Sequence, residues 1–265
     1  MNIASWLYQT AHAWPTRPAV FQGDSLRHSY ASLLRAVCDR ARHLGAVHGI
    51  GPGDRVAIFA KNAPEYIEWL HACWWIGAVV VPVNCKLHPA EAEWIVRNSG
   101  AALVVTDKGT LFPGLAEEAP PRPAAAGDLA WLFYTSGTTG KPKGVMLSHE
   151  NLRQMTLCYA LDVDGPRPED HMLYAAPMSH GAGLYMFAQI RAGGAHLVPA
   201  SRGFDAAEII ALAESRGNLV FFAAPTMVKR LVAAARPLGY DGAGIRTIIY
   251  GGGPMYANDI DEALE

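Results

Sequence analysis

The chain has 265 residues, 51% of them hydrophobic and 17% charged, with a formal net charge of −2. That length and apolar content suit a globular chain with one large core or two smaller ones. The near-neutral balance excludes the basic footprint that nucleic acid or an acidic membrane surface requires, and apolar stretches such as HACWWIGAVVVPV are too short to span a membrane.

MNIASWLYQTAHAWPTRP opens the chain as a helix-like segment. It lacks the positive region and apolar run of a signal peptide, so a cytoplasmic location is expected. Cys38, Cys73, Cys85 and Cys158 are scattered, which fits reduced, mostly buried thiols. Cys85 and His88 stand close in sequence, but nothing nearby completes a tetrahedral site, and no metal site is expected there. After the turn GIGPGD, RVAIFA (55–60) reads as a buried strand. APEYIEWLHACWWIGA (63–78) has helical spacing through Tyr66, Leu70, Trp74 and Ile76. A strand over 79–84, a helix over 89–100 and a strand over 102–107 continue the alternation. Residues 108–128, rich in Pro, Ala and Gly, read as a linker or surface loop.

Beyond it come a strand over 129–135, a Gly-rich loop, the strand GVMLS and a helix from near His149. Strand 171–176, helix 183–192, strand 195–199, helix 205–217, strand 218–224 and helix 225–237 follow. Strand 245–251 then leads into a last helix. Strands that are apolar almost throughout, alternating with helices, predict an α/β fold of layered, mostly parallel sheets flanked by helices. The linker predicts two subdomains, 1–107 and 129–265.

The Gly-rich loop is YTSGTTGKPKG, residues 134–144. Its backbone N–H groups, hydroxyls and two lysines would make a nest for an anion, most naturally a polyphosphate. An ordinary solvated hairpin would use similar residues, but four hydroxyls packed among three glycines make that the weaker reading. The loop is not a Walker A motif, because only Thr138 and Thr139 separate Gly137 from Gly140, and Pro142 stands at the magnesium-ligand position. No GxGxxG follows a strand, and Tyr134 stands where GxSxG needs its first glycine.

YTSGTTGKPKGV does resemble the phosphate-binding signature of the adenylate-forming (AMP-binding) superfamily, which includes acyl-CoA synthetases and peptide-synthetase adenylation domains. Further segments match in the family's order: GDRVAIFAKNAPEYIEWLHACWWIGAVVVPVN (53–84), PMSHGAG (177–183) and GGGPM (251–255). The resemblance implies ATP-dependent activation of a carboxylic acid to an acyl-adenylate, then an acyl-CoA thioester, with ATP, Mg2+ and coenzyme A as cofactors. The expected enzyme is thus an acid–thiol ligase. It implies that Thr135, Ser136, Gly137, Thr138, Thr139 and Gly140 wrap the β- and γ-phosphates, with Lys143 adding charge, while Lys141 sits at a more variable position. His180 matches the family's pocket histidine near the carboxylate, with two roles open to it, hydrogen-bonding that carboxylate or gating the acyl channel. His43, His48, His71, His149 and His196 are read as structural. Gly251, Gly252, Gly253 and Pro254 match the segment beside adenine, where bare glycines let a ligand lie against backbone. Met178, Tyr185, Met186, Phe222, Thr226 and Met227 are candidates for the acyl tunnel, although core packing accounts for them about as well.

Amino-acid-activating relatives carry a pocket Asp; PMSHGAG offers no carboxylate, so an acid with an uncharged fatty or aromatic acyl chain is expected. Four family elements are not in the sequence: the motif with the magnesium-binding Glu, the ribose-binding Asp, the hinge, and the lid with its catalytic Lys. The resemblance therefore implies the N-terminal portion of an acyl-CoA synthetase, inactive alone and prone to self-association, including as a homodimer. A carrier-protein-loading acyl-AMP ligase is the alternative, and a non-catalytic nucleotide- or partner-binding remnant is the alternative from another class.

Overall fold

A computed structural model describes residues 1–107, 118–135 and 141–264. Helix α1 (Ser5–Ala13) leads into the hairpin β1 (Pro18–Gln22) and β2 (Ser25–Ser29), then α2 (Tyr30–His48). Next come β3 (Arg55–Ala60), α3 (Pro64–Trp75), β4 (Val79–Asn84), α4 (Pro89–Ser99) and β5 (Leu103–Thr106). After 118–128, β6 (Leu129–Thr135) and β7 (Lys143–Ser148) precede α5 (His149–Cys158), which runs into a π-helical turn over Tyr159–Val163. The chain continues through β8 (His171–Leu173), α6 (Gly181–Leu184), α7 (Met186–Ala192), β9 (Ala195–Val198) and α8 (Ala206–Arg216). It ends with β10 (Leu219–Ala223), α9 (Pro225–Ala235), β11 (Ile245–Tyr250) and α10 (Ala257–Leu264).

The strands form two sheets, ordered β5-β3-β4-β6-β7 and β11-β10-β8-β9-β1-β2. The β6–β7 and β1–β2 pairs are antiparallel; the other pairs are parallel. Successive residues of a strand face opposite ways. Val79, Val81 and Val83 accordingly join Ala92 and Ile95 of α4 on one side of the first sheet, while Val80 joins the central core on the other. In the second sheet Leu219, Phe221 and Ala223 meet Ile209 of α8 and Leu231 of α9, whereas Val220 faces the centre. The central core holds α1, α2, α3 and α7 between the two sheets. The central strands of each sheet are thus covered on both faces, which is why they read as near-continuous apolar runs.

Helix α3 lies wholly inside this sandwich, with every residue buried except Glu65. Its buried acid, Glu68, accepts hydrogen bonds from Arg40 Nε at 2.7 Å and pairs with His28 Nε2 at 3.0 Å. Burial alone would raise the carboxyl's pKa; the His28 and Arg40 contacts outweigh it and hold the group below the usual carboxylate range.

Several expectations are corrected. The sheets do not divide at 108–128: β6 and β7, beyond it, extend the first sheet, and β1–β2 close the second. Composition marks where chain is polar, whereas sheet membership depends on long-range pairings such as Val80 with Trp131 and Val20 with His196. The strand expected over 171–176 ends at Leu173. The helix expected over 183–192 starts at Gly181 and breaks at Tyr185. The β1–β2 hairpin and α2 were not foreseen. Helix α2 nevertheless carries a clear start signal, with Ser32 N donating to Ser29 Oγ and Ser29 N to Ser32 Oγ.

Candidate functional site

The hairpin β6–β7 opens between Thr135 and Lys143, the last cross-strand pair of its ladder. Both residues are exposed, and Lys143 pairs with no acid among the described residues. Ser136, Gly137, Thr138, Thr139 and Gly140 lie outside the described residues, so their expected phosphate contacts are not placed. The root of the hairpin is anchored: Tyr134 donates its hydroxyl to Asn98 Oδ1 of α4 at 2.7 Å. An ideal Cβ on Gly144 would sit 2.9 Å from the Tyr134 ring, so this ring requires a residue without a side chain opposite it.

His180 caps the start of α6 after the segment 174–179. Its imidazole is half-buried, and burial pushes its pKa below 6.5, with the Ser179 contact opposing that in part. A neutral ring is therefore expected at pH 7. Nδ1 lies 3.3 Å from Ser179 Oγ, and the ring centroid is 5.5 Å from that of Phe133, two residues before the hairpin opens.

From His180 the row of contacts continues into the second sheet. Phe222 of β10 lies against Gly181 and Gly251, where ideal Cβ atoms would come within 2.9 and 3.1 Å of its ring. Tyr185 stacks on Phe222, with centroids 5.9 Å apart and an interplanar angle of 18°. Gly252 adopts the left-handed φ of +83°, with nothing within 4 Å of an added Cβ; Gly253 and Pro254 are exposed beside it. The hairpin mouth, His180 and the glycines after β11 thus follow one another along the carboxyl ends of β6, β8, β10 and β11. Carboxyl ends of parallel strands are where open α/β sheets take their ligands.

Of the tunnel candidates, Tyr185 and Phe222 line this row. Met178 and Met186 are buried in the central core, Met227 is half-buried beneath it, and Thr226 is exposed at the start of α9. Phe133 and Gly181 were missed as site residues, although a half-buried aromatic just before the loop was a readable signal. A cavity of about 600 Å3 lies elsewhere, between α9, β11 and α10, and touches none of these side chains. The other histidines are structural in their contacts. His71 Nδ1 meets Ile67 O at 2.9 Å, His196 Nδ1 meets the Tyr174 hydroxyl at 2.7 Å, and His149 Nδ1 accepts from Ile3 N at 3.1 Å. His43 and His48 face each other across 3.1 Å at the end of α2.

Thr135 and Lys143 offer a hydroxyl and an ammonium suited to a phosphate chain. Among the described residues, no three His, Cys, Asp or Glu side chains converge as a metal centre. No helix among them is long and apolar enough to cross a membrane.

Comparisons with known proteins bear on the family and the fold. The family model for AMP-binding enzymes matches residues 7–265. A feruloyl-CoA synthase from Amycolatopsis sp is 32% identical over 97% of this chain and 55% of its own length. The fatty acid–[acyl-carrier-protein] ligase ScoC of Streptomyces coeruleorubidus is 31% identical over 94% of this chain and 53% of its own. The O-succinylbenzoate coenzyme A synthetase of Bacillus subtilis, solved in complex with ATP and magnesium ion, superposes with a TM-score of 0.83 and 27% identity. That match covers 97% of this chain and 56% of the solved one. The chain spans little more than half the length of these relatives, and over that span it belongs to the AMP-binding enzyme family.

Proposed function

We propose that this chain supplies the ATP- and acid-binding surface of an enzyme that activates a fatty or aromatic carboxylic acid. In the reaction read here, the acid's carboxylate oxygen bonds to the α-phosphorus of ATP, and the bond to pyrophosphate breaks. The resulting acyl-adenylate then passes its acyl group to a thiol, releasing AMP. The observation that carries the reading is the contact between Phe133 and His180, which sets the mouth of the phosphate hairpin beside the histidine turn.

Each residue's role follows from its chemistry. The hydroxyl of Thr135 and the ammonium of Lys143 hold the phosphates, and Lys143 offsets part of their charge. Two anions must approach each other, so positioning and charge neutralisation are most of the catalytic problem. His180, held neutral by burial, hydrogen-bonds the acid's carboxylate without adding a charge. Tyr185 and Phe222 flank the acyl group, and Gly252, Gly253 and Pro254 leave backbone open to a flat adenine. Mg2+ accompanies the ATP phosphates and offsets their charge. Coenzyme A is the proposed acceptor. A carrier-protein thiol is the second reading, favoured by the similarity to the acyl-carrier-protein ligase.

A charge-assisted bond to phosphate contributes roughly 1.5–3 kcal/mol. Lys143→Ala should therefore weaken ATP binding about ten-fold or more in calorimetric titration. Unchanged affinity in a folded variant would remove the hairpin from the site. Titration with fatty and aromatic acids in the presence of ATP then sorts the substrate classes.

A further inference from the structure

The stretch ahead of His180 is buried but has left its sheet. Strand β8 ends at Leu173, and after Tyr174 N donates to Leu197 O at 2.9 Å the ladder stops. Tyr174, Ala175 and Ala176 are nevertheless at most 3% exposed. Buried backbone groups need partners, and leaving them without any is costly. The partner here is one side chain. Asn62 Nδ2 donates to Tyr174 O at 2.8 Å and to Ala176 O at 2.9 Å, and Asn62 Oδ1 accepts from Met178 N at 2.9 Å. The amide spans three alternate residues of a segment that is no longer strand, and acts as a substitute ladder.

Asn62 is itself held. It follows β3 in the other sheet and is 6% exposed. Its carbonyl accepts from Arg202 Nε at 2.8 Å. Arg202, beyond β9, has a left-handed φ of 59° and pairs with Asp107 just after β5. The same Asp107 carboxylate accepts from Lys61 N at 3.2 Å. Asn62 thereby ties the carboxyl end of β3 to those of β8 and β9, and Asp107 joins the end of β5 to the same group. His180 follows the last clamped residue, Met178, with only Ser179 between them, and His180 N closes a turn onto Pro177 O at 3.1 Å.

We infer that Asn62 is the positioning residue for His180: its amide fixes the height and direction of the 174–178 run, and so where the imidazole meets Phe133 and the acid. The inference rests on reading the His180 row as the acid site. It requires no contact between Asn62 and any ligand. With the amide removed, Tyr174 O, Ala176 O and Met178 N lose their partners, the run relaxes, and His180 drifts from the hairpin mouth. A displacement of about 1 Å at such a group can lower activity a hundred-fold.

The test compares wild type, Asn62→Ala and Asn62→Thr, the last keeping one donor and one acceptor in case the alanine variant does not fold. The first readout needs no ligand: the imidazole NMR resonances of His180 and amide exchange at Met178. Both should change in each folded variant, less in Asn62→Thr, while the His71 resonances stay in place. His180 resonances that superimpose on wild type would overturn the clamp. The second readout is calorimetric titration with ATP and with feruloyl-sulfamoyladenosine, an unreactive acyl-adenylate mimic. ATP affinity should stay within about two-fold, and affinity for the mimic should fall about ten-fold. Equal loss of both ligands would make Asn62 a general stability residue and overturn its specific role. A wild-type chain that binds neither probe would defeat the acid-site reading, while the His180 resonances would still decide the clamp.

Discussion

Helix α3 and strand β7 carry similarly apolar segments and meet opposite fates. Every residue of α3 but Glu65 is buried, whereas β7, paired along its length with a buried strand, leaves Val145 47% and Met146 69% exposed. The difference is one of layer. Helix α3 lies between two sheets, so apolar residues surround it on nearly every side and even Glu68 and His71 are buried; β7 is the last strand of its sheet. The middle layer is therefore where stability is expected to concentrate, while Thr135 and Lys143, at the start of the hairpin opening, stand exposed.

Three experiments would break or sharpen that contrast. Trp74→Ala comes first: the ring is fully buried, its Nε1 donates to Ala130 O at 2.9 Å, and it packs 5.2 Å from Phe187. Denaturant unfolding should show a loss of about 3–5 kcal/mol. A loss below about 1 kcal/mol would mean the middle layer is not where the stability resides.

Acid should also find the middle layer first. Burial pushes the imidazole of His71 on α3 from 6.5 down to about 4, and that of His196 on β9 down to about 3. The unfolded chain takes up protons near pH 6.5, well before the folded one. The stability of keeping both rings neutral is therefore complete above pH 6.5 and is lost as pH falls toward 4. The slope is at most about 1.4 kcal/mol per pH unit for each ring. Unfolding midpoints that stay flat from pH 7 to 5 in wild type, or that fall equally in His71→Asn, would count against this.

The smallest effect belongs to β7. Met146→Lys should change stability by no more than about 0.5 kcal/mol, as substitutions at exposed positions away from special features do. A cost of 2 kcal/mol or more would show β7 to be part of the core.

Much of this was legible in the sequence, because local signals are strong where one layer decides them. RVAIFA and VVVPVN match β3 and β4 to the residue, and LAWLFYT matches β6. The strand–loop–strand reading around the glycines also holds, and His180 was singled out through the resemblance of PMSHGAG to a family motif. What escaped depends on distant partners. SLRHS shows no apolar alternation, because β2 is an edge strand held only by β1. HMLYAA reads as one strand, yet its second half is satisfied by Asn62, more than a hundred residues away. Nothing in the local pattern of Asn62 announces that its amide does the work of a neighbouring strand.

The N-terminal hairpin also sets the order in which the chain can mature. Strand β1 pairs with β9, Val20 beside His196 and Gln22 beside Val198, so β1 acquires its inner neighbour only after residue 198 has been synthesised. Until then β1 and β2 make an orphan ribbon, and the middle-layer helices have one wall instead of two. Contacts this distant in sequence slow folding and leave apolar surface open to association meanwhile. The second sheet is thus closed by a segment made long before its inner neighbour, which exposes its assembly, more than that of the first sheet, to association during synthesis.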